Sequence, residues 1–322
     1  AVGKIMSGRF THIVQSGRNK MQGLSERNLA CAGREILLKS VVQAIPTFSM
    51  SCFQLTKRVC SQLTSPMAKY WWSISIDRRS LHWVSLENLT APMVNGGMGF
   101  RDLHAFNLAM LAKQSWRLIT KPNSLCATFL RAKYYPDGNL LKTGSKKGSS
   151  FTWQSIIAGL RTFMRGHIWR VGTGANINIW EDHWVPSSPN RKVITVKGQR
   201  LPQNVDDLID PFTGQWDEAL IRDNFIWVDV ERILKIPLSP NMTEDFVAWR
   251  YTKSFSFSAR SAYYVEWEHQ FGAQTRQGDG QGARNANLVW NILWKLQNPS
   301  KVKIFAWRAS HGIVPGMLIL PN

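Results

Sequence analysis

Apolar residues recur at helical intervals in separate blocks along this chain, and prolines stop two of them, so the fold it can adopt is chiefly an assembly of short helices. In RNLACAGREILLKSVV the apolar positions are Leu29, Ile36, Leu37, Leu38, Val41 and Val42. They predict a helix over 34–43 that ends ahead of Pro46, because proline disfavours helical geometry in the residue before it. Arg34 and Lys39 fall off its apolar face. A second helix is predicted over 56–72, where Val59, Leu63, Met67, Tyr70 and Trp71 share one side and Lys57, Arg58 and Lys69 are interspersed. A third runs over 106–118, with Asp102 able to cap it and with Lys113 and Arg117 four apart. Trp290 and Trp294 stand one turn apart before Pro299. Between these blocks, IWRVGTGANINIW predicts a hairpin of strands 168–171 and 177–180, its turn at 172–176 made of residues that tolerate positive φ. The expected class is therefore α+β: a mainly helical N-terminal part, a small β-hairpin region and a helical C-terminal part. The polar stretch 191–210 reads as a linker and 272–286 as a flexible loop.

Charge is unevenly placed. Residues 1–200 carry 28 Lys and Arg against 8 Asp and Glu, a balance of +20, whereas residues 201–322 carry 12 against 13. A field of that sign draws phosphate backbones or anionic membranes over distances that salt shortens. Neither a basic amphipathic anchor nor a lipidation signal is visible, which favours nucleic acid over membrane. Cys31, Cys52, Cys60 and Cys126 form no CxxC pair, so no disulfide framework is expected and a reducing compartment fits. No run of about 18 apolar residues occurs, and AVGKIMSGRFTHIV lacks a signal peptide's apolar stretch, so a soluble intracellular protein is expected.

Catalytic chemistry finds few candidates. Metal-dependent polymerases and nucleases hold their ions between two or more acids. Asp206 and Asp207 are adjacent in NVDDLID, but Leu208, Ile209 and Pro211 suggest a short helical start with Asp206 as its cap. Glu181 and Asp182 lie beside His183 in IWEDHW, where neighbouring side chains of a strand point to opposite faces and make one chelate awkward. The seven histidines are scattered, with no HxxxH pair for zinc. No G-x-S-x-G elbow occurs, and no cysteine stands in a nucleophile's setting. NGGMGF and VGTGAN contain neither the P-loop nor the dinucleotide pattern and read as turns. Of the 15 tryptophans, Trp71, Trp72, Trp116, Trp290 and Trp294 belong to apolar stripes and so to the core. Base stacking is reserved for pairs that join an aromatic to a cation, Trp169 with Arg170 and Trp307 with Arg308. No catalytic residue, metal site or cofactor is expected.

Several strings occur in a shared order: SGRNK, AGREILLKSVVQAIPTFSMSCFQL, HWVSLENL, GGMGFRDLHAFNLAMLAKQSWRLI, AKYYPDG, WRVGTGANINIWEDHWVP, FSARSAYY, and W-x3-W followed by PSKVKIFAWR. Together they resemble the region downstream of the polymerase core in plant LINE-type, non-LTR retrotransposon reverse transcriptases, over most of the chain. The resemblance implies three parts: 1–75 a thumb-like basic helical region, 76–190 a connection region with the hairpin, and 191–322 a partial zinc-binding-region-like segment lacking the zinc cluster. It also implies that the catalytic Y-x-D-D motif lies upstream and the Cys and His cluster downstream. Leu24 and Leu86 stand where such proteins usually have tryptophan, and Ala30 replaces the usual serine, as in a decayed or domesticated copy.

The expected function is non-catalytic binding of template and primer backbone, with Arg34, Lys39, Lys57, Arg58 and Lys69 on phosphates, RNA or DNA, at low sequence specificity. The upstream polymerase core is a further partner and the nucleus the implied compartment. Two rivals are weighed with it: a residual metal-dependent polymerase or nuclease using Asp206, Asp207, Glu181 or Asp182, and a protein-interaction module docking through the acidic stretch 201–253.

Overall fold

The predicted helical blocks form, and their burial explains their limits. A computed structural model of the chain describes residues 10–25, 29–72, 83–145, 148–198, 202–238, 243–275 and 280–313. The α-helices are α1 Thr11–Ser25, α2 Cys31–Ser40, α3 Thr47–Cys52, α4 Lys57–Trp72, α5 Leu86–Thr90, α6 Leu103–Thr120, α7 Leu125–Tyr134, α8 Phe151–Met164, α9 Glu218–Asn224, α10 Trp227–Leu234, α11 Ala259–Thr275, α12 Gly280–Lys295 and α13 Ser300–Ser310. Two strands, β1 His167–Arg170 and β2 Phe246–Trp249, complete a mainly helical α+β fold. The helix expected over 34–43 is α2 continued by a 3₁₀ turn Val42–Ala44, so the chain tightens ahead of Pro46. At the third block Asp102 does cap: its Oδ1 accepts from the Ala105 nitrogen at 2.7 Å.

The chain divides into two compact units. The first comprises residues 1–114, 145–159 and 263–322. Its helix α4 serves two apolar clusters. Val59, Cys60 and Leu63 pack with Ile13, Met50, Leu55 and Leu103. Met67, Trp71 and Trp72 pack with Leu38, Phe100, Leu293 and Trp307. Asn107, fully buried, holds the turn into α4: its Oδ1 accepts from the Leu55 nitrogen at 2.7 Å, and its Nδ2 donates to the carbonyls of Met50 and Phe53, each at 2.9 Å. Such a side chain is tolerated in a core because every polar atom finds a partner.

The second unit comprises residues 115–144 and 160–262. Its core gathers Ile177, Ile179, Trp184, Val205, Leu208, Ile221 and Ile233. The expected hairpin is not formed: β1 pairs antiparallel with β2, His167 opposite Trp249 and Arg170 opposite Phe246. The 177–179 segment turns elsewhere, Ile179 donating to the Gln203 carbonyl at 2.9 Å and Val205 to the Ile177 carbonyl at 3.0 Å. The stretch 191–210 is accordingly no free linker, since Val193, Val205 and Leu208 are core and Arg191 is buried. The loop expected over 272–286 is also overturned in part. Helix α11 runs to Thr275 and α12 starts at Gly280, with 276–279 outside the described residues.

Candidate nucleic-acid interface

Helix α4 sorts its side chains by burial. Its buried face takes Val59, Leu63, Met67, Tyr70 and Trp71, which leaves Lys57, Arg58, Ser61, Ser65 and Lys69 exposed. Arg58, Ser65 and Lys69 are separated by seven and four positions, so they follow one line along the helix surface. Thr56 supports the first turn, its Oγ1 accepting from the Val59 nitrogen at 3.3 Å. Lys57 and Arg58 open the helix with no acidic residue in that turn, although the helix dipole disfavours cations at this end.

The other two predicted contacts are differently placed. Arg34 is half-buried: its Nε donates to the Leu29 carbonyl at 3.0 Å and its guanidinium lies over the Tyr70 ring, 5.7 Å from the centroid. Lys39 Nζ sits 2.5 Å from Glu35 Oε1, donates to the Met98 carbonyl at 2.7 Å, and lies 5.3 Å from the Phe100 ring centre. Both cations thus bind this chain's own groups. The five predicted residues divide into an exposed set, Lys57, Arg58 and Lys69, and an internally engaged set, Arg34 and Lys39.

In the second unit the candidate acids are occupied locally. Glu181 pairs with Lys142 at 2.5 Å, and that contact holds its carboxyl below the ordinary range. Asp182 Oδ2 accepts from the Asn178 nitrogen at 2.8 Å. Asp206 is not the cap: Asn204 caps the 3₁₀ turn Val205–Leu208 and Asp207 completes a capping box, its Oδ2 accepting from the nitrogens of Gln203 and Asn204 at 2.8 and 3.1 Å. Asn204 precedes that turn, so a carboxylate at its third position reaches back to the free N–H groups, whereas Asp206 lies one residue too early to do so. Among the described residues no three His, Cys, Asp or Glu side chains converge on a point where a metal ion would sit.

Both glycine loops are turns with identifiable reasons. In NGGMGF, Gly96 has φ +85° and a Cβ on Gly97 would fall 1.8 Å from the Ala91 carbonyl oxygen. VGTGAN does cradle an anion, but the anion is the chain's own. Asp245 Oδ1 accepts from the nitrogens of Gly172 and Gly174 at 2.7 and 2.9 Å, and Oδ2 accepts from Asn176 at 2.9 Å. Successive backbone N–H groups make such concavities, and here a carboxylate fills it. This contact sets Phe246–Trp249 beside His167–Arg170, which is why β1 finds β2 as its partner.

Of the two stacking candidates, Trp307 is corrected: it is fully buried and its Nε1 donates to the Gly96 carbonyl at 2.7 Å. Arg308 lies over the Trp71 and Trp72 rings instead. Trp169 is half-buried, and Arg170 stacks on Phe255, 4.6 Å from its centroid.

Sequence reasoning missed a cavity of about 760 Å³ in the first unit. Its walls include Lys57, Asp102, His104, Glu266 and Phe271. His104 Nδ1 is enclosed and has no hydrogen-bond partner among the described residues. Burial lowers the His104 pKa below its ordinary 6.5, against a smaller opposing effect of the Asp102 charge, so the ring is neutral near pH 7. Glu266 is 2% exposed and accepts from Gln270 Nε2 at 2.8 Å. Burial pushes the neighbouring Cys60 thiol up to about 12, which removes it as a nucleophile. No spacing in the sequence signals this cavity, since α4, α6 and α11 meet only through the fold.

No protein-family profile matches the chain. It is 39% identical over 143 residues to the uncharacterized mitochondrial protein AtMg00310 of Arabidopsis thaliana, which is 44% of this chain and 93% of that protein. It is 30% identical over 317 residues to the putative ribonuclease H protein At1g65750 of the same plant, 94% of this chain and 48% of that protein. The chain therefore spans about half the length of this second relative. Among the described residues no helix is long and apolar enough to cross a membrane.

Proposed function

For this chain, which belongs to the same family as the Arabidopsis mitochondrial protein AtMg00310, we propose the role of a non-catalytic nucleic-acid-binding part of a retroelement-derived reverse transcriptase. It holds template and primer through their phosphates, with low sequence specificity. The observation that carries this reading is the set of exposed cations on α4, Lys57, Arg58 and Lys69, within a stretch whose balance is +20 over residues 1–200. Cations at the N-terminal end of a helix are locally unfavourable, and a phosphate beside them would reverse that sign. Similarity over most of the chain to a protein named as a putative ribonuclease H is in keeping with a nucleic-acid partner and with a plant retroelement origin. The ordered motifs from AGRE to PSKVKIFAWR support the thumb, connection and partial zinc-binding-region reading in the same way.

The experiment is a salt titration of affinity for a primed RNA–DNA hybrid. Each phosphate neutralised contributes a slope of roughly −0.9 to log K against log salt. The whole chain should show a steep negative slope, and the triple substitution Lys57→Ala, Arg58→Ala, Lys69→Ala should flatten it by about 2 to 3. A salt-independent affinity, or a triple variant with the parent slope, contradicts the role.

A further inference from the structure

We infer that the cavity between α4, α6 and α11 takes one unpaired nucleobase bearing an exocyclic amino group, its phosphate lying at Lys57. The inference rests on the nucleic-acid-binding role proposed above and adds a base contact to it.

Size and lining agree with such a guest. About 760 Å³ falls in the range of ligand cavities and accommodates a nucleoside. Leu108 and Phe271 offer apolar wall to a base's faces, and Lys57, exposed at the start of α4, also lines the cavity. A base that enters here therefore leaves its backbone beside the cations to which phosphate is assigned. The polar groups then select an edge. Glu266 is a deeply buried carboxylate, which as an ion only accepts hydrogen bonds. His104 also lines the cavity, but its Nδ1 is enclosed by the protein and takes no part in the contact. Cytosine, adenine and guanine each present an exocyclic amino donor, which suits a carboxylate. Thymine and uracil offer one N–H flanked by two carbonyl oxygens, which a carboxylate repels.

The test compares fluorescence anisotropy of the whole chain with dC20 and dT20, pyrimidines that stack similarly, at one fixed salt concentration. A matched polar edge distinguishes bases by roughly tenfold, so dC20 should bind about tenfold tighter than dT20. Glu266→Gln keeps the shape but adds a donor; it should bring the two affinities within about twofold, weakening dC20 and strengthening dT20. Lys57→Ala should weaken both oligonucleotides alike. Equal affinities for the parent protein, or a preference that survives Glu266→Gln in a variant with unchanged circular dichroism and melting, would overturn the base site and leave salt-dependent binding standing. No binding of either oligonucleotide or of the primed hybrid would overturn the nucleic-acid role itself.

Discussion

The carboxylate of Asp245 accepts a hydrogen bond of 2.7 Å from the backbone nitrogen of Gly172, across 73 positions of sequence. With its further bonds from Gly174 and Asn176 it closes the VGTGAN loop and delivers β2 to β1. A glycine loop that looks built for phosphate is thus a structural clasp. Asp245→Ala would leave three backbone donors without their acceptor. It should destabilise the protein by about 2 to 3 kcal/mol, and Asp245→Asn by less, because one amide oxygen still accepts. Urea midpoints followed by tryptophan fluorescence measure this; a shift below about 0.5 kcal/mol for the alanine variant would show that water replaces the carboxylate.

Two glycines separate steric contact from backbone strain. A Cβ on Gly97 would stand 1.8 Å from the Ala91 carbonyl oxygen, so Gly97→Ala forces the chain apart and should lower stability by more than about 3 kcal/mol. Gly138 has φ +79° with nothing within 4 Å, so Gly138→Ala should cost only the left-handed backbone term of about 1 to 2 kcal/mol. Equal effects in thermal melts would contradict this assignment.

The five cations should divide by assay. Lys57→Ala, Arg58→Ala and Lys69→Ala change side chains already in solvent and should reduce affinity for nucleic acid with melting temperature unchanged within about a degree. Lys39→Ala leaves Glu35, 13% exposed at its side chain, without its partner and removes a donor from the Met98 carbonyl. It should lower stability by about 2 kcal/mol. A fully stable Lys39→Ala with lost affinity would move Lys39 into the interface.

Acid should weaken the second unit through two histidines. His167 and His183 lie with ring centres 4.7 Å apart. Burial, then the neighbouring His183 and Arg191, lowers His167 to about 3. Burial, then the Arg191 and Lys192 charges, lowers His183 to about 4. Above the ordinary value of 6.5 both rings are neutral folded or unfolded and pH has no hold on them. Below it the unfolded chain binds protons that the folded chain refuses, so stability falls with pH until the folded values are reached. Between pH 6 and pH 4.5 His167 should contribute a slope of up to about 1.4 kcal/mol per pH unit, and His167→Phe should remove that share from the pH dependence of the denaturation midpoint. An unchanged slope in that variant would show that His167 is charged in the fold.

The sequence alone determined where α2, α4 and α6 lie, most of the buried stripe of α4, and that the excess of cations belongs to residues 1–200, because helical period and charge are local properties. It also excluded phosphate-loop and dinucleotide motifs by spacing. It did not reveal strand pairing: β1 and β2 are joined through Asp245, and a contact across 73 positions leaves no periodic trace. Nor did helical phase separate Arg34 and Lys39 from Lys57, Arg58 and Lys69. A half-turn off the apolar face says only that a side chain leaves its own helix. Whether it then meets water or the Tyr70 ring and the Met98 carbonyl depends on what the rest of the chain brings alongside. The enclosure of His104 with Glu266 was decided by tertiary structure in the same way, since burial is a property of the packed helices and of no single one.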